Sequence, residues 1–539
     1  MRSSVKDGAR RKVLIVGAGM AGLTAGAYLA RAGHEVILLE KSPGCGGLVS
    51  SFTRDGFVFD TGPRAVGNAG ILVPLLEDLD IDLPLVKGEV STGIRDKMVH
   101  YDSNANIDDF IASLHGLFPE SSRDIEKIRR QIRVHTRMAA VLNELPNPFF
   151  KNPLKDPGYL FTKFIPWLPS FFRVVLRTSL GVNTVEEVLK SLTGNRALAD
   201  MVCQHFFKGT PAHFAFGYFE NYQDYQYPPG GTGKLPEALA RKFAAEGGVF
   251  RYGVDVMTID PAEKKVTDQA GEDHDYDALV WAADLKSLYG RMEVRGLPVK
   301  QRHRVDSEKK KYLAVAAGES VFTIFLAVDE PPETFKAISR GHFIYTPRTE
   351  GLGELHRSTL ARMKADFPRV TREEWFRWLE DFCALNSYEI SIPVLKDPSL
   401  APPGKTGLIV SLLMDGGLWE LADRAGWAEE LRAGTAECML RALEEGVYPG
   451  LRGKILFQKT ATPLTLMRMF NTTHGAITGW SLEEESPVPH SLAGITGTPR
   501  TAVPGVFKAG QWSYSPSGVP IALLTGRIAA RAVQQALKG

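Results

Sequence analysis

Cysteine is scarce in this chain. Its 539 residues hold four, Cys45, Cys203, Cys383 and Cys438, far apart and with no Cys-x-x-Cys pair. That spacing points away from a zinc site and from a disulfide framework, and it suits a reducing compartment. No metal centre is expected. An excess of charge is also missing: the formal net charge is +2, so general attraction to nucleic acid is not implied. Nor is there an uncharged apolar run of the ~18 residues that a membrane-spanning helix needs. Met1 to Lys12 is polar and basic and lacks the apolar centre of a signal peptide. A cytoplasmic location is expected, with peripheral contact to a membrane left open. What remains is an ordinary globular composition, 44% hydrophobic and 23% charged, with length for more than one domain.

The chain is organised around Lys12 to Glu40. Val13 to Val16 is an apolar run suited to a buried parallel strand. Then come Gly17-Ala18-Gly19 and, three positions on, Gly22, followed by a helix kept slim by Ala21, Ala25, Ala27, Ala30 and Ala32. In a Gly-x-Gly-x-x-Gly turn the first glycine permits the sharp bend. The second lets the backbone approach a pyrophosphate on the helix N-terminus, and the third lets helix and strand pack closely. His34 to Glu40 reads as the second strand. Its terminal acid lies 18 positions after Gly22, close to the roughly 20 expected of a ribose-binding carboxylate. Together these features predict a dinucleotide site.

Lys41-Ser-Pro-Gly44-Cys-Gly46-Gly47-Leu48 makes a glycine-rich loop directly behind the acid, and Gly56-Phe-Val-Phe-Asp60-Thr-Gly62-Pro63-Arg64 follows as strand and loop. From about Gly70 to Leu142 the pattern reads as helical and amphipathic. Pro146 to Leu180 differs: it carries Phe149, Phe150, Tyr159, Phe161, Phe164, Trp167, Phe171 and Phe172 with five basic residues and one acid, Asp156. Pro166 and Pro169 are expected to break it into short pieces. Aromatic and basic side chains without a full span suit a membrane-interface segment, and an internal cap lining a pocket is the other account. A strand–helix–strand pattern returns after Tyr227: a helix over Glu237 to Glu246, a strand over Val249 to Ile259, and a buried strand from Ala278 to Asp284. The simplest account is one nucleotide-binding domain interrupted by an insertion. Val321–Val328 and Gly407–Leu413 read as strands of a second domain, and Thr371–Asn386 and Trp427–Leu443 as its helices.

With these motifs in place the sequence resembles FAD-dependent oxidoreductases of the phytoene desaturase and carotenoid isomerase type, with retinol saturase and the flavin amine oxidases as broader relatives. The resemblance rests on the stretch through Glu40, on Gly46-Gly47, on Gly56 to Pro63 and on Tyr227-Pro-Pro-Gly-Gly231. It rests further on Val256-x-x-Ile259, Ala283-Asp284, Gly510-Gln-Trp512, Gly518-Val-Pro520 and Thr525-Gly-Arg527. It implies a doubly wound, Rossmann-type α/β FAD-binding domain (residues 1–75, 228–290 and 490–539). An α+β substrate domain would be inserted in it (76–227 and 291–489), with 146–180 as the membrane-interface segment. It implies FAD held by Gly17, Ala18, Gly19, Gly22, Glu40, Lys41, Gly46, Gly47, Leu48, Arg64, Val256, Ala283, Gly510, Gln511 and Val519. Two positions depart from the pattern. Leu48 stands where many amine oxidases have Arg, and Gln511 stands where an acid is usual. Neither change supports an amine substrate.

The resemblance also implies hydride transfer to or from a carbon of an apolar polyene or isoprenoid. The direction is open. Desaturation needs an acceptor such as a quinone, saturation needs a reductant such as NAD(P)H, and isomerisation needs neither on balance. Arg64 and His474 are the candidate catalytic side chains, each with a purely structural alternative. Two other functions stand beside this one: a flavin amine oxidase, and a prenyl-lipid carrier without working flavin chemistry.

Overall fold

The computed structural model describes residues 10–102, 106–180 and 183–538. The nucleotide-binding core is a five-stranded sheet, parallel throughout. Its strands are β1 (Lys12–Val16), β2 (Glu35–Glu40), β3 (Val249–Tyr252), β4 (Ala278–Trp281) and β5 (Val506–Lys508), in the spatial order β3-β2-β1-β4-β5. β1 occupies the middle, and Val13, Leu14 and Ile15 are fully buried because both faces of the sheet are covered. Each such side chain stabilises the core by ~1.5–3 kcal/mol. Helix α1 (Met20–Arg31) covers one face, flanked by α2 (Lys234–Ala245) and α3 (Val519–Ala536). α1 lies close to its neighbours because it carries small residues. A Cβ on Gly26 would stand 3.0 Å from the Phe243 ring of α2, and one on Gly526 of α3 would stand 2.4 Å from the Ala21 carbonyl.

The second sheet has seven strands in the order Ile455–Ala461, Ser320–Val328, Thr406–Met414, Tyr388–Ser391, His342–Thr346, Val90–Ile94, Lys97–Tyr101. All neighbours are antiparallel except His342–Thr346 beside Val90–Ile94. Helices Arg372–Leu385 and Ala428–Gly446 pack on each other behind it, in a core that includes Trp375, Trp378, Phe382 and Trp419.

Three local expectations change. Gly70–Leu142 is not helical throughout: Val90–Ile94 and Lys97–Tyr101 form an edge hairpin of the seven-stranded sheet. Arg95, with φ of 55°, makes its turn, and the β-branched Val90, Thr92 and Ile94 favour extended backbone. Val249–Ile259 is two strands in two sheets, because Gly253 turns the chain at φ 71° and Val256–Asp260 pairs instead with Lys265–Asp268. Pro146–Leu180 is in pieces only at its start, where a short turn at Pro153–Lys155 precedes Asp156. From Pro157 a helical turn, a five-residue wide turn (Leu160–Phe164) and helix Ile165–Leu180 follow without a gap, so Pro166 and Pro169 do not break it, and Pro169 lies inside the helix.

That helix docks on Ser122–Asn143 through Trp167, whose indole N–H donates to the Val141 carbonyl at 2.8 Å. Its other side is bare. Leu154, Phe161, Ile165, Phe172 and Leu176 are 77, 67, 43, 63 and 61% exposed, and Lys151, Lys155, Lys163, Arg173 and Arg177 are exposed among them. Among the described residues no helix is long and apolar enough to cross a membrane.

Candidate active site

The three fingerprint glycines have three different physical reasons, and the structure separates them. Gly17 sits at φ 101°, and a Cβ there would stand 2.8 Å from the Ala282 carbonyl. A Cβ on Gly22 would lie 1.9 Å from the Gly17 carbonyl, so this glycine is demanded by helix–strand packing. A Cβ on Gly19 would meet nothing within 4 Å. Open space in front of Gly19, at the N-terminus of α1, is what a pyrophosphate needs. The Gly46-Gly47 loop returns to this turn: Gly46 N–H donates to the Ala18 carbonyl at 2.8 Å, and Gly46 pairs with Gly19 as an isolated bridge.

Glu40 closes the far side. Its carboxylate accepts from Ala18 N–H and Ser42 N–H, each at 2.7 Å, which fixes it at the end of β2 and leaves it half-exposed. Lys41 is exposed and pairs with Asp255 at 3.7 Å. The Val256 side chain is buried and its carbonyl accepts from the Arg291 guanidinium. Ala283 follows β4, its N–H 3.5 Å from where a Gly17 Cβ would lie. Leu48 is half-buried, and its carbonyl blocks any side chain at Gly62, where a Cβ would approach to 1.8 Å. Gly510, at φ 96°, donates to the Thr525 hydroxyl of α3 at 3.0 Å. Gln511 is half-buried behind it, and Val519 begins α3. The N-terminus of α3 has no side-chain cap, and the hydroxyl of Ser517 just before it is buried without a partner. Uncapped N–H groups and an orphaned hydroxyl at a helix N-terminus are the donors an anionic ring edge would use. The open cradle at Gly19 and these spare donors fit a dinucleotide cofactor.

The second cluster joins the two sheets. Arg64 is 3% exposed. It donates to the carbonyls of Asp60 at 2.9 Å and Gly62, and to the Ser411 hydroxyl on the seven-stranded sheet. Its Nε–H is buried and unpartnered. Lys396 donates to the Arg64 carbonyl at 2.7 Å and to the Ser391 hydroxyl at 2.8 Å. Asp60 accepts from the Tyr227 hydroxyl, from Ser51 and from the N–H of Thr232.

Facing Arg64 is a residue that sequence reasoning missed. Glu389 pairs with His342 at 3.2 Å, and the His342 ring stacks on Tyr225 at 5.3 Å. Burial pulls the His342 pKa down, so its imidazole is neutral and Nε2–H donates to the carboxylate. Burial alone would raise the Glu389 pKa, but the hydrogen bond from His342, the charge His342 carries at the acid pH where Glu389 titrates, and the charges of Arg64 and Lys396 outweigh it and hold it at about 2. Burial likewise pushes Lys396 down to about 8, with Arg64 adding to the shift and Asp60 and Glu389 opposing it. Arg64, too, is lowered by burial, against the pull of Glu389 and Asp60.

Sheet register explains the alignment. Thr92, Ile344, Glu389, Ser411 and Thr323 form one row across five strands, so all point to one face. Nothing in the sequence flags Glu389, because its partners are brought together only by strand order.

His474 lies elsewhere. It is in the left-handed region at φ 54°, its side chain is 45% exposed, and its partner is Glu420 at 2.9 Å. It is not part of the group around Arg64, so the structure offers it a surface pairing in place of the expected catalytic position. Asp268, Glu272 and His274 bring donor atoms within 4.8 Å of one another, but Asp268 is consumed by the N–H groups of Ala270 and Glu272 and by His274, as a brace of the hairpin turn.

The parallel sheet, the glycine cradle and the terminal acid define a dinucleotide-binding oxidoreductase fold. The chain belongs to the flavin-containing amine oxidoreductase family, whose model matches residues 20–534. It is an FAD-dependent oxidoreductase. Among curated proteins it is similar to prolycopene isomerase 2, chloroplastic, of an Oncidium hybrid cultivar, with 24% identity covering 98% of this chain and 84% of that one. It is also similar to phytoene desaturase (lycopene-forming) of Pseudescherichia vulneris, with 24% identity covering 84% of this chain and 85% of that one. Among solved structures it shares its fold with an oxidoreductase from Methanosarcina mazei, at a TM-score of 0.58 and 17% identity over 97% of this chain and all of that one.

Proposed function

We propose that this protein desaturates, saturates or isomerises carbon–carbon bonds of an apolar polyene isoprenoid. The observation that carries the reading is the face of the seven-stranded sheet opposite Arg64. Its central strands are buried except at Val321, Leu413, Ile344 and Glu389, which all lie on that one face. These four partly exposed positions leave open space on that face, and three of them are apolar. The named activities of the two curated relatives, both on polyenes, support the same reading.

FAD, when bound, supplies a hydride acceptor or donor. The chain does the rest. Gly17, Gly19, Gly22 and Gly46 give the pyrophosphate its close approach, Glu40 offers a carboxylate to ribose hydroxyls, and the bare N-terminus of α3 offers N–H groups to the ring. Arg64 ties the cofactor-side loop to the substrate sheet and holds its open face in place. Desaturation would pass electrons to a quinone or oxygen, whereas saturation would draw them from NAD(P)H.

The apolar, cation-bordered face of residues 154–177 would seat on an anionic bilayer surface, from which an apolar substrate partitions.

Anaerobic incubation of FAD-loaded protein with phytoene or prolycopene, with and without quinone or NADPH, tests the substrate class by chromatography of the products. A new polyene product supports it. No polyene conversion, with peroxide released from amines in a parallel aerobic assay, sinks it.

A further inference from the structure

We propose that Glu389 is the polar anchor of the substrate site and accepts a hydrogen bond from a substrate hydroxyl, so that the preferred substrate is a polyene alcohol rather than a polyene hydrocarbon. This rests on the polyene reading above and deepens it.

The middle of a sheet is a costly place for a carboxylate. Strand Tyr388–Ser391 has a neighbour on each side, and Tyr388, Ile390 and Ser391 are buried. Glu389 lies deep in the protein, yet its side chain keeps 44% of its surface open. The other partly exposed positions on this face, Ile344, Leu413 and Val321, are apolar, so among the open positions of the central strands Glu389 is the polar one. Those apolar positions would favour the hydrocarbon body of a substrate and leave its polar group to Glu389.

Charge decides which polar group. His342 engages one oxygen, Oε1, and among the described residues no protein donor reaches the other. The surrounding charges already balance: Glu389 and Asp60 face Arg64 and Lys396, each of which is in direct contact with the Asp60–Arg64 loop or acts on the carboxylate through space. An ammonium group would add an uncompensated positive charge, and a carboxylate a negative one, beside charges that are already paired. A hydroxyl adds no net charge and satisfies the spare oxygen. His342 is a positioning residue: held by its stack on Tyr225, it fixes the rotamer of the carboxylate. A site built to bond a hydroxyl discriminates strongly against the analogue lacking it, because its buried acceptor is then left unpaired.

The test is equilibrium binding to the FAD-loaded protein, with bound polyene extracted and measured by chromatography. The probes are two matched pairs: zeaxanthin against β-carotene, which differ only in hydroxyls, and retinol against retinyl methyl ether. We expect the alcohol of at least one pair to bind at least tenfold more tightly. Glu389→Leu should erase that preference by weakening the alcohol alone, while Glu389→Gln, which keeps a carbonyl acceptor, should retain most of it. FAD content and thermal midpoint report whether each variant is folded, and the wild-type comparison stands even if Glu389→Leu is not. Equal binding within both pairs, or an undiminished preference in folded Glu389→Leu, overturns the inference while leaving the polyene reading intact. Binding of no polyene at all to FAD-loaded protein overturns both.

Discussion

The two halves of the proposed active site, a cofactor half and a substrate half, are built from different materials. The cofactor half is mostly backbone: Gly17, Gly19, Gly22 and Gly46 matter for what they leave out, and Glu40 is held by two N–H groups within reach of its own strand end. The substrate half is mostly side chain. Arg64 reaches Ser411 across 347 positions, and Lys396 reaches back to the Arg64 carbonyl across 332. A backbone site depends on local geometry and tolerates almost no added atom. A side-chain site depends on strand order and charge balance and tolerates changes of shape better than changes of charge.

The largest expected effect breaks the first half. Gly22→Val puts side-chain atoms where even a Cβ would lie 1.9 Å from the Gly17 carbonyl. We expect FAD content below about a tenth of wild type and a loss of several kcal/mol of stability, read by the visible spectrum and thermal melting. Gly19→Ala sharpens the point. Its Cβ meets no protein atom, so the melting temperature should hold while FAD affinity falls.

Next comes Arg64→Leu, which removes three hydrogen bonds and leaves Glu389 short of a counter-charge. Truncating one partner of a buried charged network costs ~3–5 kcal/mol, and polyene turnover should fall further than FAD binding does. Urea unfolding and single-turnover kinetics check the two effects. Glu40→Gln is milder: a charge-assisted hydrogen bond contributes ~1.5–3 kcal/mol, so FAD should dissociate on the order of tenfold more readily in a flavin-release titration.

The pH dependence separates the halves again. Glu389 titrates at about 2 in the folded chain against an ordinary 4.5, so the stability it contributes is present above pH 4.5 and lost as pH falls toward 2. Lys396 titrates at about 8 against 10.5, so the cost of burying its charge is present below pH 8 and relieved as pH rises from 8 to 10.5. The difference in urea midpoint between wild type and Glu389→Gln should therefore vanish at the acid end, and that between wild type and Lys396→Met should change only on the alkaline side. The smallest effect on catalysis is expected from the double variant Phe161→Ser, Phe172→Ser. It should sediment with phosphatidylglycerol vesicles at least tenfold less well than wild type while turning over detergent-dispersed substrate normally.

The turns and the acid of the proposed cofactor half are local in the chain. The fingerprint, Glu40, the Gly46-Gly47 loop and the C-terminal Gly510-Gln511 turn are runs of a few residues whose chemistry is carried by spacing. Arg64 was legible as a candidate because it follows Gly62-Pro63 directly, although its contact with Ser411 was not. Glu389 was invisible: it is one acid in an alternating strand, and its meaning comes from His342, Ser411 and Arg64, none of them near it in sequence. His474, a candidate from its glycine-flanked segment with a structural role as the alternative, lies at a partly exposed turn and pairs with Glu420. The hairpin at Val90–Tyr101 is local, but its place at the edge of the seven-stranded sheet depends on His342–Thr346, some 250 residues away.

The sequence by itself determined a dinucleotide cradle, because backbone turns and helix N-termini are local and a handful of glycines specifies them. Only the tertiary structure decided what gathers around Arg64. It brought Glu389, Lys396, His342 and Ser411 together, because strand order and register, which no short motif encodes, determine which side chains share a face.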